Sequence, residues 1–335
     1  MKKKKILHFC LILILFITSL FANGCITINT DKSATIEVRF HSETNYLTWS
    51  PIKGAYQYEI LFEDNSVIKS NVTNYDLSTI PYGEYSLKVR AVNVLGSPVS
   101  EYSRSVYVKV ERPLSEVLDL LSEKYMSANV KVISTKTFLG SSTVYDGSGI
   151  IFKKEIYNGN YYTYYCLTNN HVVVPNINPT YSILDHMGET HQARLVCFSD
   201  AYDLAVVTFV SDTNFEVLPL DDKDVSIGDK VLALGNPLGS MNSVTVGNVT
   251  SLSEVVNVPA EAGERDYSNV NFAIITHDAK INSGSSGGAL ISYDLKIVGI
   301  NFATGNVAST HEYVEGYAVP HAKIKEFLTA NGITY

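Results

Sequence analysis

Short runs with a period of two, broken by turn residues, constrain this chain more than any other feature. Tyr56, Tyr58, Ile60 and Phe62 alternate with Gln57, Glu59 and Leu61, and Tyr85, Leu87, Val89 and Ala91 alternate with Ser86, Lys88 and Arg90. Such a period puts successive side chains on opposite faces of a half-buried strand. Asp64-Asn65 and Pro81-Tyr82-Gly83 mark turns between the runs. Strand-like runs continue at 130–133, 149–152, 162–167, 204–210, 230–234, 244–249, 271–275, 295–301 and 317–319. The chain lacks a strand–helix–strand rhythm, which argues against a doubly wound parallel fold. The spacing fits an all-β chain whose second part is a barrel arrangement.

With 335 residues the chain is long for one ordinary domain and suits two. Residues 35–111 read as a small β-sandwich of about seven strands. Glu111-Arg112-Pro113 marks a boundary, and residues 115–335 form the second domain. Leu114, Val117, Leu118, Leu121 and Tyr125 follow at helical intervals, with Ser115, Glu116 and Asp119 suiting a helix start. A last helix spans His321 to Ala330 and stops at Asn331-Gly332.

The N-terminus has a different character. Lys2 to Lys5 precede an almost wholly apolar run from Ile6 to Phe21, followed by the small residues of Ala22-Asn23-Gly24-Cys25. A run of about 16 residues makes roughly 24 Å of helix, short for a membrane span. The pattern reads as a secretory signal over residues 1–24. Small residues just before a cysteine also resemble a bacterial lipobox, which implies lipidation at Cys25 and a membrane tether. Ala22 and Asn23 depart from the usual lipobox residues, and ordinary cleavage after Gly24 with free secretion is the alternative. Either places the protein outside the cell, the first as a lipoprotein on the extracellular face of a bacterial membrane.

Without those 24 residues, four of the 26 basic side chains go and all 34 acidic ones remain. Such a balance disfavours nucleic acid as a partner, because phosphate neutralisation needs clustered Lys and Arg. Cys166 and Cys197 are the cysteines left beyond Cys25. They read equally well as a disulfide or as two buried thiols. No CxxC pair is present, so no structural zinc site is called for, and no cofactor is expected.

Asn282-Ser283-Gly284-Ser285-Ser286-Gly287-Gly288 sets a serine among glycines. On a tight turn, converging backbone N–H groups can hold the oxyanion of a tetrahedral intermediate. Serine needs a base to act as a nucleophile, and the base needs a carboxylate to orient it. His171 ends an aromatic-rich strand and leads into Val172-Val173-Val174. Asp203 stands directly before the apolar run Leu204-Ala205-Val206-Val207, whereas the rival Asp200 lacks that run. The order His171, Asp203, Ser286 is that of the chymotrypsin class. His277 reads as a strand or surface residue, and His186, His191, His311 and His321 lack spaced partners and read as structural.

Two family resemblances complete the reading. Leu47-Thr48-Trp49-Ser50-Pro51, Gly54-Ala55-Tyr56-Gln57-Tyr58, Leu77, Pro81, Gly83, Tyr85 and Val89-Arg90-Ala91-Val92-Asn93 resemble a fibronectin type III domain. That implies a core Trp49 and a tyrosine corner at Tyr85, in a module serving as spacer or as docking surface. Asp146-Gly147-Ser148-Gly149, Thr168 to Val173, Asp203 to Val206, Leu234-Gly235-Asn236-Pro237-Leu238-Gly239, Asp278 to Asn282, the serine loop and Val298-Gly299-Ile300-Asn301 resemble the trypsin-like domain of HtrA-type (DegP-like) serine proteases. The resemblance implies His171 as general base, Asp203 as its orienting acid, Ser286 as nucleophile, and an oxyanion hole from the N–H groups of Gly284 and Ser286. The substrate pocket falls at Lys280, Asn282 and Asn301. Ser285 and Ala289 depart from the Asn and Pro usual in that family, but both are small enough to keep the turn. Lys280 either sits at the pocket floor, hinting at glutamyl specificity, or points to solvent. The implied fold is a fibronectin type III-like β-sandwich followed by a chymotrypsin-like double β-barrel with short flanking helices, without a PDZ domain.

The implied activity is that of a tethered serine endopeptidase acting on exported or surface proteins, with a homo-oligomer compatible with the family. The competing class is a catalytically silent, protease-like adhesin that binds through the first domain. The presence of all three triad residues inside matching motifs favours catalysis.

Overall fold

The computed structural model describes residues 35–173, 179–237, 240–254, 270–307 and 312–335. The export signal, Cys25, Leu238-Gly239 and His311 lie outside the described residues. The chain divides into two units at Glu111/Arg112.

The first unit has seven antiparallel strands: β1 (Val38–His41), β2 (Tyr46–Trp49), β3 (Gln57–Leu61), β4 (Val67–Ser70), β5 (Asn74–Asp76), β6 (Gly83–Val92) and β7 (Val106–Val110). They form a three-stranded sheet in the order β1-β2-β5 and a four-stranded sheet in the order β4-β3-β6-β7. Alternation explains the burial. Tyr58 and Ile60 of β3 and Leu87, Val89 and Ala91 of β6 turn inward, meeting Leu47 and Trp49 of β2 in one core. Tyr56 precedes β3 and is exposed, so the alternating run begins two residues later than its sequence period indicates. The Trp49 and Tyr58 rings lie 5.4 Å apart, and the Tyr85 hydroxyl donates to the Pro81 carbonyl at 2.6 Å.

The second unit opens with α1 (Leu114–Leu120), extended by a wider helical turn over Leu121–Tyr125. Pro113 is its N-cap residue and makes no side-chain cap, and Ser115 and Glu116 fall in its first turn. Twelve strands follow: β8 (Asn129–Phe138), β9 (Ser141–Asn158), β10 (Tyr161–Thr168), β11 (Thr180–Leu184), β12 (Thr190–Ser199), β13 (Leu204–Ser211), β14 (Lys230–Gly235), β15 (Ser243–Glu254), β16 (Ala273–His277), β17 (Ala289–Ser292), β18 (Ile297–Val307) and β19 (Glu312–Pro320). The helical turn α2 (Asn170–Val173) follows β10, and α3 (His321–Ala330) ends the unit. Strands β8 to β13 close one barrel and β14 to β19 a second. The expected double barrel is therefore present. Three of its strands, β11, β12 and β17, are absent from the runs read in the sequence.

Closure depends on long strands that bend. The 18-residue β9 pairs with β8 along its first part and with β10 along its second, with register shifts in the latter ladder. Leu167 and Val207 of the first barrel and Leu232, Ile291 and Ile300 of the second belong to one continuous core. Among the described residues, no helix is long and apolar enough to cross a membrane.

Candidate active site

The β10 strand ends at Thr168, and the chain then coils once. The Asn169 carbonyl accepts the N–H groups of Val172 and Val173 at 3.2 and 3.4 Å, placing His171 on α2 rather than at a strand end. Asp203 closes the turn from Asp200 with its N–H on the Asp200 carbonyl, and takes a left-handed conformation at φ +48° just before the buried strand β13. A left-handed conformation costs a non-glycine residue roughly 1–2 kcal/mol. Three bonds hold Asp203 there. Asn169 Nδ2 donates to its carbonyl at 2.8 Å, the His171 N–H donates to Oδ1 at 3.0 Å, and His171 Nδ1 donates to Oδ2 at 2.7 Å. Asp203 is 5% exposed, so these contacts form in a nearly dry site. Asp200 instead accepts from Asn170 Nδ2 at 3.3 Å.

The serine loop precedes β17 in the second barrel. Gly284 and Gly287 have φ of +92° and +86°, conformations that glycine adopts freely. Ser285 is buried; its N–H donates to the Asn282 carbonyl and its Oγ accepts the Asn282 N–H, closing the turn upon itself. The N–H groups of Gly287 and Asn301 donate to the carbonyls of Asn301 and Gly288, both at 2.9 Å, tying the loop to β18. Ser286 Oγ is half-buried, 3.4 Å from the Phe302 carbonyl. Among the described residues, the backbone N–H groups of Gly284 and Ser286 meet no acceptor.

The first barrel grips this loop through Ser148 of β9. The Ser148 N–H donates to the Ser286 carbonyl at 2.7 Å, and its Oγ donates to the Gly284 carbonyl at 2.6 Å and accepts the Asn236 N–H at 2.7 Å. Thr168 Oγ1 donates to the Ser148 carbonyl at 2.7 Å. The two halves of the site meet beside Gly147. A Cβ there would stand 2.7 Å from Val172 Cγ2 and 2.9 Å from the Ser286 carbonyl. The residue after His171 and the backbone of Ser286 thus press on the same point.

Residues 147–300, which hold His171, Asp203 and Ser286, match the family described as the trypsin-like peptidase domain. The chain is 34% identical over 226 residues to the serine protease Do-like HtrA of Bacillus subtilis, covering 63% of this chain and 47% of the relative. It is 27% identical over 275 residues to the serine protease Do-like HtrA of Lactobacillus helveticus, covering 81% of this chain and 60% of the relative. It is 30% identical over 195 residues to the periplasmic serine endoprotease DegP of Escherichia coli, covering 56% of this chain and 36% of the relative. The chain therefore spans about half the length, or less, of most relatives it matches.

The structure places the remaining residues singled out in the sequence as follows. Lys280 and Asn282 are exposed, and the Lys280 carbonyl accepts Thr245 Oγ1 at 2.9 Å. Asn301 is fully buried, with Oδ1 3.0 Å from His277 Nε2. His277 is fully buried too, so it is not a surface residue. Burial pushes its pKa down to about 4, against the opposing pull of Asn301. His191 and His321 do have partners. His191 Nε2 lies 2.8 Å from the buried Asp185 carboxylate, and His321 Nε2 lies 3.5 Å from Asp224. His186 meets the edge of Phe215.

Cys166 and Cys197 are both free thiols. Cys166 of β10 pairs opposite Val207 and Cys197 of β12 opposite Val206, on the two sides of β13. Two strand spacings of about 4.8 Å separate their backbones, more than the roughly 7 Å a disulfide tolerates. Sequence reasoning assigned no role to Ser148, Thr168 or Asn169. The signal available was their place within the motif stretches Asp146 to Gly149 and Thr168 to Val173.

Proposed function

We propose that this protein is a serine endopeptidase that cuts exported or surface proteins by acyl transfer. His171 Nδ1 is held protonated by Asp203, which leaves Nε2 as the base that takes the Ser286 hydroxyl proton. Ser286 Oγ attacks the scissile carbonyl, and the N–H groups of Gly284 and Ser286 receive the developing oxyanion. His171 returns the proton to the leaving amine, and water then hydrolyses the acyl-enzyme by the same steps. The observation that carries this reading is that the backbone N–H groups of Gly284 and Ser286 meet no acceptor among the described residues, in the same unit as the doubly anchored His171–Asp203 pair. A preorganised pair of donors of this kind contributes several kcal/mol in the transition state.

We place the enzyme outside the cell, exported by residues 1–24 and tethered by lipid at Cys25, with residues 35–111 as a fibronectin type III-like module. The three- and four-stranded sheets of that unit and the Tyr85–Pro81 bond support the assignment. Each buried CH₂ of a lipid chain adds about 0.8 kcal/mol to membrane binding. Replacing Cys25 by Ser is expected to move the protein from the membrane fraction to the medium. The activity is tested by labelling mature protein with a fluorophosphonate probe. Labelling lost in both Ser286→Ala and His171→Ala supports it, whereas folded wild-type protein that takes no label removes the peptidase reading.

A further inference from the structure

Ser148 is fully buried, and both polar atoms of its backbone and its hydroxyl are spent on the catalytic loop or its supports. A hydroxyl has one proton to give. Ser148 gives it to the Gly284 carbonyl at 2.6 Å, and its lone pair takes the Asn236 N–H at 2.7 Å. Its own N–H holds the Ser286 carbonyl at 2.7 Å. One residue of the first barrel thus fastens the carbonyls of both residues whose N–H groups meet no acceptor among those described. Between them, Ser285 is closed onto Asn282 and does not lean on the first barrel.

We infer that Ser148 is the positioning residue of the oxyanion hole, its hydroxyl fixing the Gly284 peptide so that the Gly284 and Ser286 donors are set before substrate arrives. This inference rests on the peptidase reading. Preorganised donors act in the transition state more than in the ground state. Loss of the Ser148 hydroxyl frees the Gly284 carbonyl and the Asn236 N–H together, and lets the peptide between Gly284 and Ser285 turn, which loosens the Gly284 backbone that carries the first donor. Ser148 touches no reacting atom.

The test compares wild type and Ser148→Ala on a peptide substrate, with the concentration of competent sites fixed by fluorophosphonate titration. The expected result is a fall in kcat per titrated site of roughly 10- to 100-fold, below the loss typical of deleting an oxyanion donor itself, with KM within about twofold. A peptide aldehyde, which places an oxyanion in the hole once Ser286 adds to it, should lose affinity by the same factor. A non-covalent peptide ligand should not. A kcat per titrated site within twofold of wild type overturns the inference, because a purely structural role lowers the number of competent sites and not their turnover. Should the Ala variant not fold, Ser148→Cys is read in the same way; its thiol keeps the shape but donates weakly. Wild-type protein that takes no label removes the peptidase reading and this inference with it; labelled wild type with an unimpaired variant removes the inference alone.

Discussion

Asp203 holds His171 twice, with Oδ2 2.7 Å from Nδ1 of the ring and Oδ1 accepting the backbone N–H at 3.0 Å. The second bond fixes the main chain that carries the ring, so the carboxylate sets both tautomer and position. Asp203→Asn keeps the shape but presents an amide to Nδ1. The proton is then favoured on Nε2, where it blocks the base. The expected loss in kcat is roughly 10³- to 10⁴-fold with little change in fold. Asp200→Asn, at the position that accepts from Asn170, should stay within about twofold. Equal losses in the two variants by peptide hydrolysis would overturn the assignment of the acid.

The serine loop tolerates no side chain at Gly287. A Cβ there would collide with the Ser148 carbonyl and Thr168 Oγ1, and φ of +86° already strains an L-residue. Strain of about 1–2 kcal/mol adds to overpacking of roughly 1–3 kcal/mol. Gly287→Ala should therefore unfold in chemical denaturant about 2–5 kcal/mol more easily and lose labelling at Ser286. Unchanged unfolding midpoint and labelling would show that the loop does not seat on β9 as described.

The free thiols predict a reactivity order. Burial pushes the Cys166 thiol far above its ordinary range and lifts Cys197 to about 11. The thiolate is the reactive form. At pH 8, Cys197 should alkylate slowly and Cys166 only after unfolding, and a reducing agent should leave the melting temperature unchanged. Intact mass two hydrogens light, restored by reduction, would contradict the separation of the two strands.

The parts of this fold that were legible in sequence are those with local signals. The alternating runs gave β3 and β6, the Asn331-Gly332 stop gave the end of α3, and the apolar run behind Asp203 singled out the carboxylate that the structure bonds to His171. β12 escaped because its residues Thr190, His191, Gln192 and Arg194 are polar and it is held by ladders to β11 and β13 rather than by its own pattern. β17 is four residues long and begins directly after the glycines. The helical turn at His171 follows from two bonds to the Asn169 carbonyl, and the grip of Ser148 on Gly284 joins residues 136 positions apart. No periodicity records contacts of that range.

His277 predicts an acid-labile core. Its imidazole is fully buried against Asn301, and burial lowers its pKa from 6.5 to about 4, with Asp278 and Glu315 opposing the shift. Between those values the unfolded chain binds a proton that the folded chain refuses. Stability is therefore fully present above about pH 6.5, falls as pH drops towards 4, and levels off below that. The gap corresponds to about 3 kcal/mol. His321, lowered by burial beside Asp224, adds in the same direction, and Asp185, whose hydrogen bonds outweigh its burial, loses its contribution as pH falls further. His277→Gln keeps an N–H donor for Asn301 Oδ1 and removes the titration. Urea unfolding at pH 7 and pH 4.5 should show wild type losing about 2–3 kcal/mol more than the variant over that interval. The comparison cancels the other two groups. Equal losses would mean that His277 is already protonated in the fold or that its proton is matched in the unfolded chain.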